Sequence, residues 1–449
     1  MKRASELLDL GDRGVAIARE RGADQAEVFV ESVRAVEVEL QKDDIHTAST
    51  ADEVSVGIRV VRNGSIGFAT VNGEDRLDLA CEDALAMAAA SPPDPKNGLG
   101  EPSAGPVVPL PTQPDPEIGE LNVERLVEIA AGLLERVRAG DPRVRIDSGG
   151  VSAAVSARAI ATSTGIRHAE DHAGAQGYLF GMAVDGDDVG SFDAHGQAVL
   201  RAADLGPELE RVAAHFVERC VGALGARSGE TYRGPVLLSP EVVSSFVLGD
   251  LLSVLTGRAV RTNRCPLAGK VGEAVAVPEL TIVDDARRAG GTASAAFDRE
   301  GTPTGETPLL TDGVLRGFLY DVYEARAAGA RPTGHARGGA TSQPMIGVSN
   351  LLVSPGDQAL EDLCRLPRIV VVNRFSGSSD PVTGEFSGVV KGGFLCRGGE
   401  RIPLRETLIA GNLYDLLRRI SGVSRERENL YGRAWIPALR VEDVSVTAG

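Results

Sequence analysis

Ser239, Pro240, Glu241, Ser244 and Ser245 crowd the opening turn of PVLLSPEVVSSFVLGDLLSVL, where a buried strand runs straight into a helix. A junction of this kind can aim side chains at a substrate. A serine nucleophile there would need a glycine-flanked elbow and a histidine base, and GxSxG is absent. Each residue also has a local structural task. Ser239 is a good N-cap, Pro240 fits the first helical position, and Glu241 suits the positive end of the helix. Val243, Phe246, Val247 and Leu251 form the apolar stripe behind them.

Two further groups could carry chemistry. His168-Ala169-Glu170-Asp171-His172 sets two imidazoles four apart, which on a helix would share one face as a metal pair does. The run is not HExxH, however, and its neighbours STG and GAQGYLFG favour a strand or loop, so a solvated polar turn is expected. TGHARGGATSQP places His335 and Arg337 in a glycine-rich loop, where acid–base work would require a carboxylate such as Asp321. NRFSGSSDPVTGEFSG reads as a turn-rich hairpin that presents backbone amides. His335, Arg337, Asn373, Phe375, Ser376 and Gly377 are the candidate substrate- or partner-facing residues. No P-loop, dinucleotide fingerprint or zinc-ribbon spacing is present.

The elements that would position these groups divide the chain in two. Ala4 to Arg21 has helical spacing, and AEVFVESVRAVEVELQ alternates as a long half-buried strand. EVSVGIRVVRNGSIGFATVN repeats the alternation around Asn63-Gly64, a tight-turn dipeptide. A helix is expected over Arg76 to Ala90, and an extended Pro- and Gly-rich excursion over 91–120, which could be a lid, an arm or a linker. Another helix follows, then short strands from Val144 to Leu200, then a helix from Ala203 to Gly225. GARSGETYRG has the composition of a boundary. The expected fold is α+β, with an α+β domain over 1–228 and a β-rich domain over 229–449.

Bulk properties narrow the function. At 449 residues the chain can bury more than one core, and a net charge of −16 without a basic run argues against direct nucleic-acid binding. Five cysteines lack CxxC spacing, which suits a reducing cytoplasm. No window approaches the roughly 18 apolar residues of a membrane helix, and the N-terminus lacks an apolar signal core.

Taken in order, AEVFVESVRAVEVELQ, VGIRVVRNGSIGFATVN, SPEVVSSFVLGDLL, FDREGTPTGETPLLTDGVLRGFLYD, ARAAGARPTGHARGG and SGSSDPVTGEFSGVVKGGFLCRGGERIPLRETLIAGNL resemble the TldD/PmbA family, also called the modulator-of-gyrase family, over nearly the whole chain. In that family's TldD type, HExxxH on the helix after the first strand of the C-terminal domain, with a late cysteine, forms a zinc site. Two imidazoles and a thiolate leave a fourth position open, and the Glu activates bound water. Laid on that pattern, the ligand positions fall on Ser239, Ser244 and Tyr431, the Glu position falls on Pro240, and Glu241 is displaced by one.

All the metal positions are therefore vestigial, and the chain resembles the TldE/PmbA side. The resemblance implies no catalytic residue and no cofactor in this chain, with zinc held by a TldD-type partner. It also implies a heterodimer or a homodimer, an enclosed chamber, and an extended peptide bound for proteolysis or for peptide maturation. Two alternatives stay open. One is a homodimeric binding or assembly protein, and the other an independent amide-processing enzyme using His168, His172 or His335.

Overall fold

The computed structural model describes residues 2–102 and 107–449. Met1 and residues 103–106, the latter within the Pro-rich excursion, lie outside the described residues. Alternation of apolar and polar side chains yields very long pleated strands here. β1 (Gln25–Gln41) pairs along its length with β2 (Asp44–Arg62), and β2 turns through Asn63 and Gly64, both at positive φ, into β3 (Ser65–Asn72).

β4 (Val144–Thr162) and β5 (Arg167–Asp185) have 19 residues each, about 60 Å at 3.3 Å per residue. Short strands are expected here because Ser148-Gly149-Gly150 resembles a turn. These residues instead continue β4 past a register shift, and a Cβ on Gly149 would lie 2.8 Å from Tyr178 O, so small residues let the strands close. β6 (Asp188–Val189) and β7 (Asp193–Val199) both pair with β5, completing the antiparallel order β3-β2-β1-β4-β5.

Four helices cover one face of this sheet. α1 (Ala4–Glu20) and α2 (Leu77–Ala90) bury Leu7, Leu77 and Ala84 against Val28 and Val30. α3 (Val123–Gly140) and α4 (Ala202–Val221) bury Leu126, Leu209 and Phe216 near Val36, Val38 and Leu40. These β1 residues are all even-numbered and so lie on the same side of the pleat.

The opposite face, at Phe29 and Ile160, is covered by Phe297 and Ala340 from the second half of the chain. A Cβ on Gly57 would stand 2.2 Å from Ala340 O, so glycine is what permits this approach. Buried charges hold the same interface. Arg59 contacts Glu27 at 2.5 Å and Glu300 at 2.7 Å, and Arg299 contacts Glu27 at 2.8 Å. The two guanidiniums keep the Glu27 carboxyl low against the burial that would raise it.

Among the described residues the second sheet has 14 strands, beginning with β8 (Arg227–Ser228) and β9 (Tyr232–Leu238). β9 lies between the C-terminal strand Ala434–Ala448, antiparallel to it, and Ile369–Val372, parallel to it. The architecture is mixed helix and sheet, as expected. The described part of the Pro-rich excursion is a strap bonded to both halves, with Leu99 N donating to Gln25 Oε1 of β1 at 2.8 Å. Arg326 donates to Leu99 O at 2.6 Å, Arg287 to Pro109 O at 2.7 Å, and Gly290 N to Thr112 Oγ1 at 2.9 Å. Among the described residues, no helix is long and apolar enough to cross a membrane.

Candidate functional site

At the end of β9, Ser239 N donates to Val372 O at 3.0 Å, which registers the junction against the parallel neighbour. Its Oγ accepts from Val242 N at 3.3 Å, the N-cap bond, and donates to Asn373 O at 3.0 Å. Pro240 occupies the first turn of α5 (Pro240–Val242), and the helix then widens into a π-helical turn over Val243–Leu248. Phe246 in that turn packs on Phe375 and Phe386, with ring centroids 4.7 and 4.8 Å away.

Glu241 faces a cluster supplied by the other half of the chain. α4 carries His215 and Arg219 one helical turn apart, so both reach toward the junction. Arg219 contacts Asp193 on β7 at 2.5 Å and Glu241 at 2.8 Å, and His195 Nδ1 lies 3.9 Å from Glu241 Oε1. The His195 and His215 rings stack at 4.2 Å and 11°. Burial, then His215 and Arg219, hold His195 down to about 3, while burial and Arg219 lower His215, so both rings are neutral at pH 7. Burial and the Glu241 charge push Glu428 up to about 7. Tyr431 sits at the rim at φ 54°, and a Cβ on Gly196 would lie 2.5 Å from its hydroxyl.

A zinc ion finds no ligand at Ser239, Pro240, Ser244 or Tyr431, which offer no imidazole, thiolate or carboxylate. Beside them, ligand atoms of His195, His215 and Glu241 lie within 4.8 Å of one another, and their types match a His₂Glu zinc set. Arg219 already shares Glu241. Two unit charges 4 Å apart repel by about 4 kcal/mol at an effective dielectric near 20, and a divalent ion doubles that. A divalent ion held by these three residues would share Glu241 with the guanidinium.

The other sequence candidates are dispersed. His168 and His172 lie on β5, not on a helix or in a turn. His172 contacts Glu170 at 3.2 Å, and Arg158 Nε donates to the same carboxylate at 2.7 Å. Against the burial that raises it, these partners bring Glu170 to about 2. The segment is a charged seam between the halves, for Glu170 also accepts from Ala296 N at 2.9 Å.

His335 is 1% exposed and pairs with Asp284 at 3.0 Å, whereas Asp321 caps a helix by accepting from Glu324 N. Asn373 donates to Gly392 O at 2.7 Å, and Phe375 belongs to the aromatic cluster under the junction helix. Ser376 and Gly377 are exposed on strand Arg374–Ser379, within the expected hairpin. Arg337 lines a cleft of about 650 Å³ between the two halves, with Tyr431 on the same wall.

Sequence reading does not find the cluster of Asp193, His195, His215, Arg219 and Glu428. Only the one-turn spacing of His215 and Arg219 is visible in the chain, because their partners come from β7 and from Glu241 on α5.

The model of the PmbA/TldA metallopeptidase C-terminal domain matches residues 231–448, and that of PmbA/TldA metallopeptidase domain 1 matches residues 26–88. Metalloprotease PmbA of Escherichia coli O157:H7 is 24% identical over 93% of this chain and 92% of its own. A metalloprotease of Methanothermobacter thermautotrophicus is 27% identical over 82% and 81%. The crystal structure of TldE from Thermococcus kodakarensis superposes with a TM-score of 0.89 at 25% identity, covering 98% of this chain and 100% of that one. Relatives named TldD also match, one from Haemophilus influenzae over 47% of this chain. From the domain matches and the shared full-length architecture, the chain belongs to the PmbA/TldD family.

Proposed function

We propose that this chain is the metal-free, TldE/PmbA-type subunit of a two-chain zinc metallopeptidase, shaping the chamber and binding extended peptide while a TldD-type partner supplies the metal. The observation that carries this reading is the junction itself. The strand, cap and helix that would present zinc ligands are intact, yet hydroxyls stand at the ligand positions and Arg219 supplies the local positive charge. Two relatives named PmbA match over 93% and 94% of this chain and a third over 46%, while those named TldD match over 47% and 42%; the two long matches support the TldE side.

Of the residues singled out in the sequence, Arg337, Ser376 and Gly377 keep solvent access, and we assign contacts with peptide or partner to them. His335 and Asn373 hold neighbouring structure. Five free cysteines are in keeping with a cytoplasmic setting.

The test is co-expression with a TldD-type chain and a peptide-cleavage assay with and without chelator. Cleavage that needs both chains and is abolished by chelator is expected. Cleavage by this chain alone would overturn the assignment.

A further inference from the structure

The interdomain cleft differs from the rest of this acidic molecule. Elsewhere buried guanidiniums meet carboxylates, as Arg59, Arg219 and Arg299 do. Of the four arginines that line the cleft, where Glu31 and Asp171 also lie, Arg158 does so through Glu170, whereas the half-buried Arg288 and Arg337 and the exposed Arg433 have no carboxylate closer than 4.0 Å among the described residues. Arg288 lies on the Trp435 ring at 4.0 Å and its buried Nε makes no hydrogen bond. Arg337 bonds Ser349, keeps a buried Nε without a partner, and stands 4.0 Å from Asp284, which is already bonded to His335 and Ser349 N. Arg433 makes no side-chain ion pair among the described residues and is exposed into the same space. Burial lowers the Arg337 pKa; Asp284 and Asp298 support its charge, and Arg158 and Arg433 oppose it more weakly.

The walls around these cations suit a main chain. β7 pairs with β5 only from Ala175 to Gly181, which leaves the edge of β5 from Arg167 to Gly174 without a second strand among the described residues. Residues 171–174 of that edge line the cleft. Pro111 and Pro114 face it from the strap and have no N–H to donate, so the strap walls the slot without pairing with the edge. An extended chain entering there continues the line of β7 and takes up the free backbone groups.

We propose that this cleft seats the C-terminal end of an extended peptide, with its carboxylate on Arg288, Arg337 and Arg433 and its backbone along the open edge of β5. A guanidinium fork binds a carboxylate through two parallel hydrogen bonds, and guanidiniums without a close carboxylate of their own are free to make them. The size is adequate, since about 650 Å³ falls within the range of small-ligand pockets. Tyr431 forms part of this wall and also borders Glu241, so a peptide anchored here extends toward the junction. The inference rests on the peptide-handling reading above.

The experiment is fluorescence anisotropy with the full chain and an N-terminally labelled hexapeptide, offered as the free acid and as the C-terminal amide, with inorganic phosphate as competitor. The acid is expected to bind at least tenfold more tightly than the amide. Arg433→Gln and Arg337→Gln should each erase most of that difference, and phosphate should displace the acid alone. Arg433 is exposed, so its variant is expected to melt as the wild type does.

Equal binding of acid and amide, no binding of either, or an acid preference untouched in Arg433→Gln would overturn the proposal. So would phosphate binding as tightly as the acid peptide, which would mark a simple anion site. Cleavage by the two-chain enzyme is scored separately. If the partner cleaves without this chain, the subunit reading fails whatever the acid-to-amide ratio. If cleavage needs both chains and the ratio is one, only the carboxylate site fails.

Discussion

Arg219 sets the character of the junction, because it neutralises Asp193 and Glu241 together and adds to the burial that keeps two adjacent imidazoles uncharged. Removing it leaves two poorly solvated carboxylates without their cation, and breaking a buried pair in this way costs about 3–5 kcal/mol. Arg219→Met should therefore lower the urea midpoint at pH 7 markedly, and calorimetric titration should show it gaining zinc affinity through His195, His215 and Glu241. A stable variant that still ignores zinc would argue against the guanidinium's role.

The histidines also give a pH dependence. The folded pKa of His195, about 3, lies below its ordinary 6.5, so between these values the unfolded chain binds more protons. Stability from this group is complete above pH 6.5 and is lost as pH falls toward 3. His195→Asn should flatten that slope in urea melts at pH 7, 6, 5 and 4. At this scale the sequence is legible where a role is local, as with Ser239 and Pro240 at the helix start. It is silent where Glu241 meets residues from α4 and β7.

The junction helix depends on what lies under its π-helical turn. Phe246 is 5% exposed and touches two other phenylalanine rings, so Phe246→Ala should cost about 3–5 kcal/mol, read as a lower melting temperature. Loss of partner binding in the same variant would show that the scaffold is what the partner recognises. Elements with a clean period were readable in advance, including β1, the Asn63-Gly64 hairpin and α4. β4 and β5 were not, because Ser148-Gly149-Gly150 imitates a turn while serving close strand contact. HAEDH, expected as strand or loop and as a solvated polar turn, is strand, with Glu170 bonded to Arg158 and Ala296 N.

Across the molecule, the two halves are joined by the Glu27–Arg59–Arg299–Glu300 network, the approach of Gly57 to Ala340, and the Pro-rich strap. Glu27→Gln should destabilise the chain by several kcal/mol, since two buried guanidiniums lose a charge they share, and should speed proteolysis within the strap. Unchanged proteolysis would show that the strap stands independently of this network. The α+β class and the family resemblance were legible from the order of segments, whereas the cleft between the halves exists only after they dock.

The central claim is that this chain contributes scaffold and peptide contacts while its partner holds the metal. Zinc measured by inductively coupled plasma mass spectrometry tests it most directly, on this chain purified alone after growth with zinc and on the two-chain complex. The account predicts far less than one equivalent on the chain alone and about one per complex. One equivalent on the chain alone, lost in His215→Ala and Glu241→Gln, would contradict it.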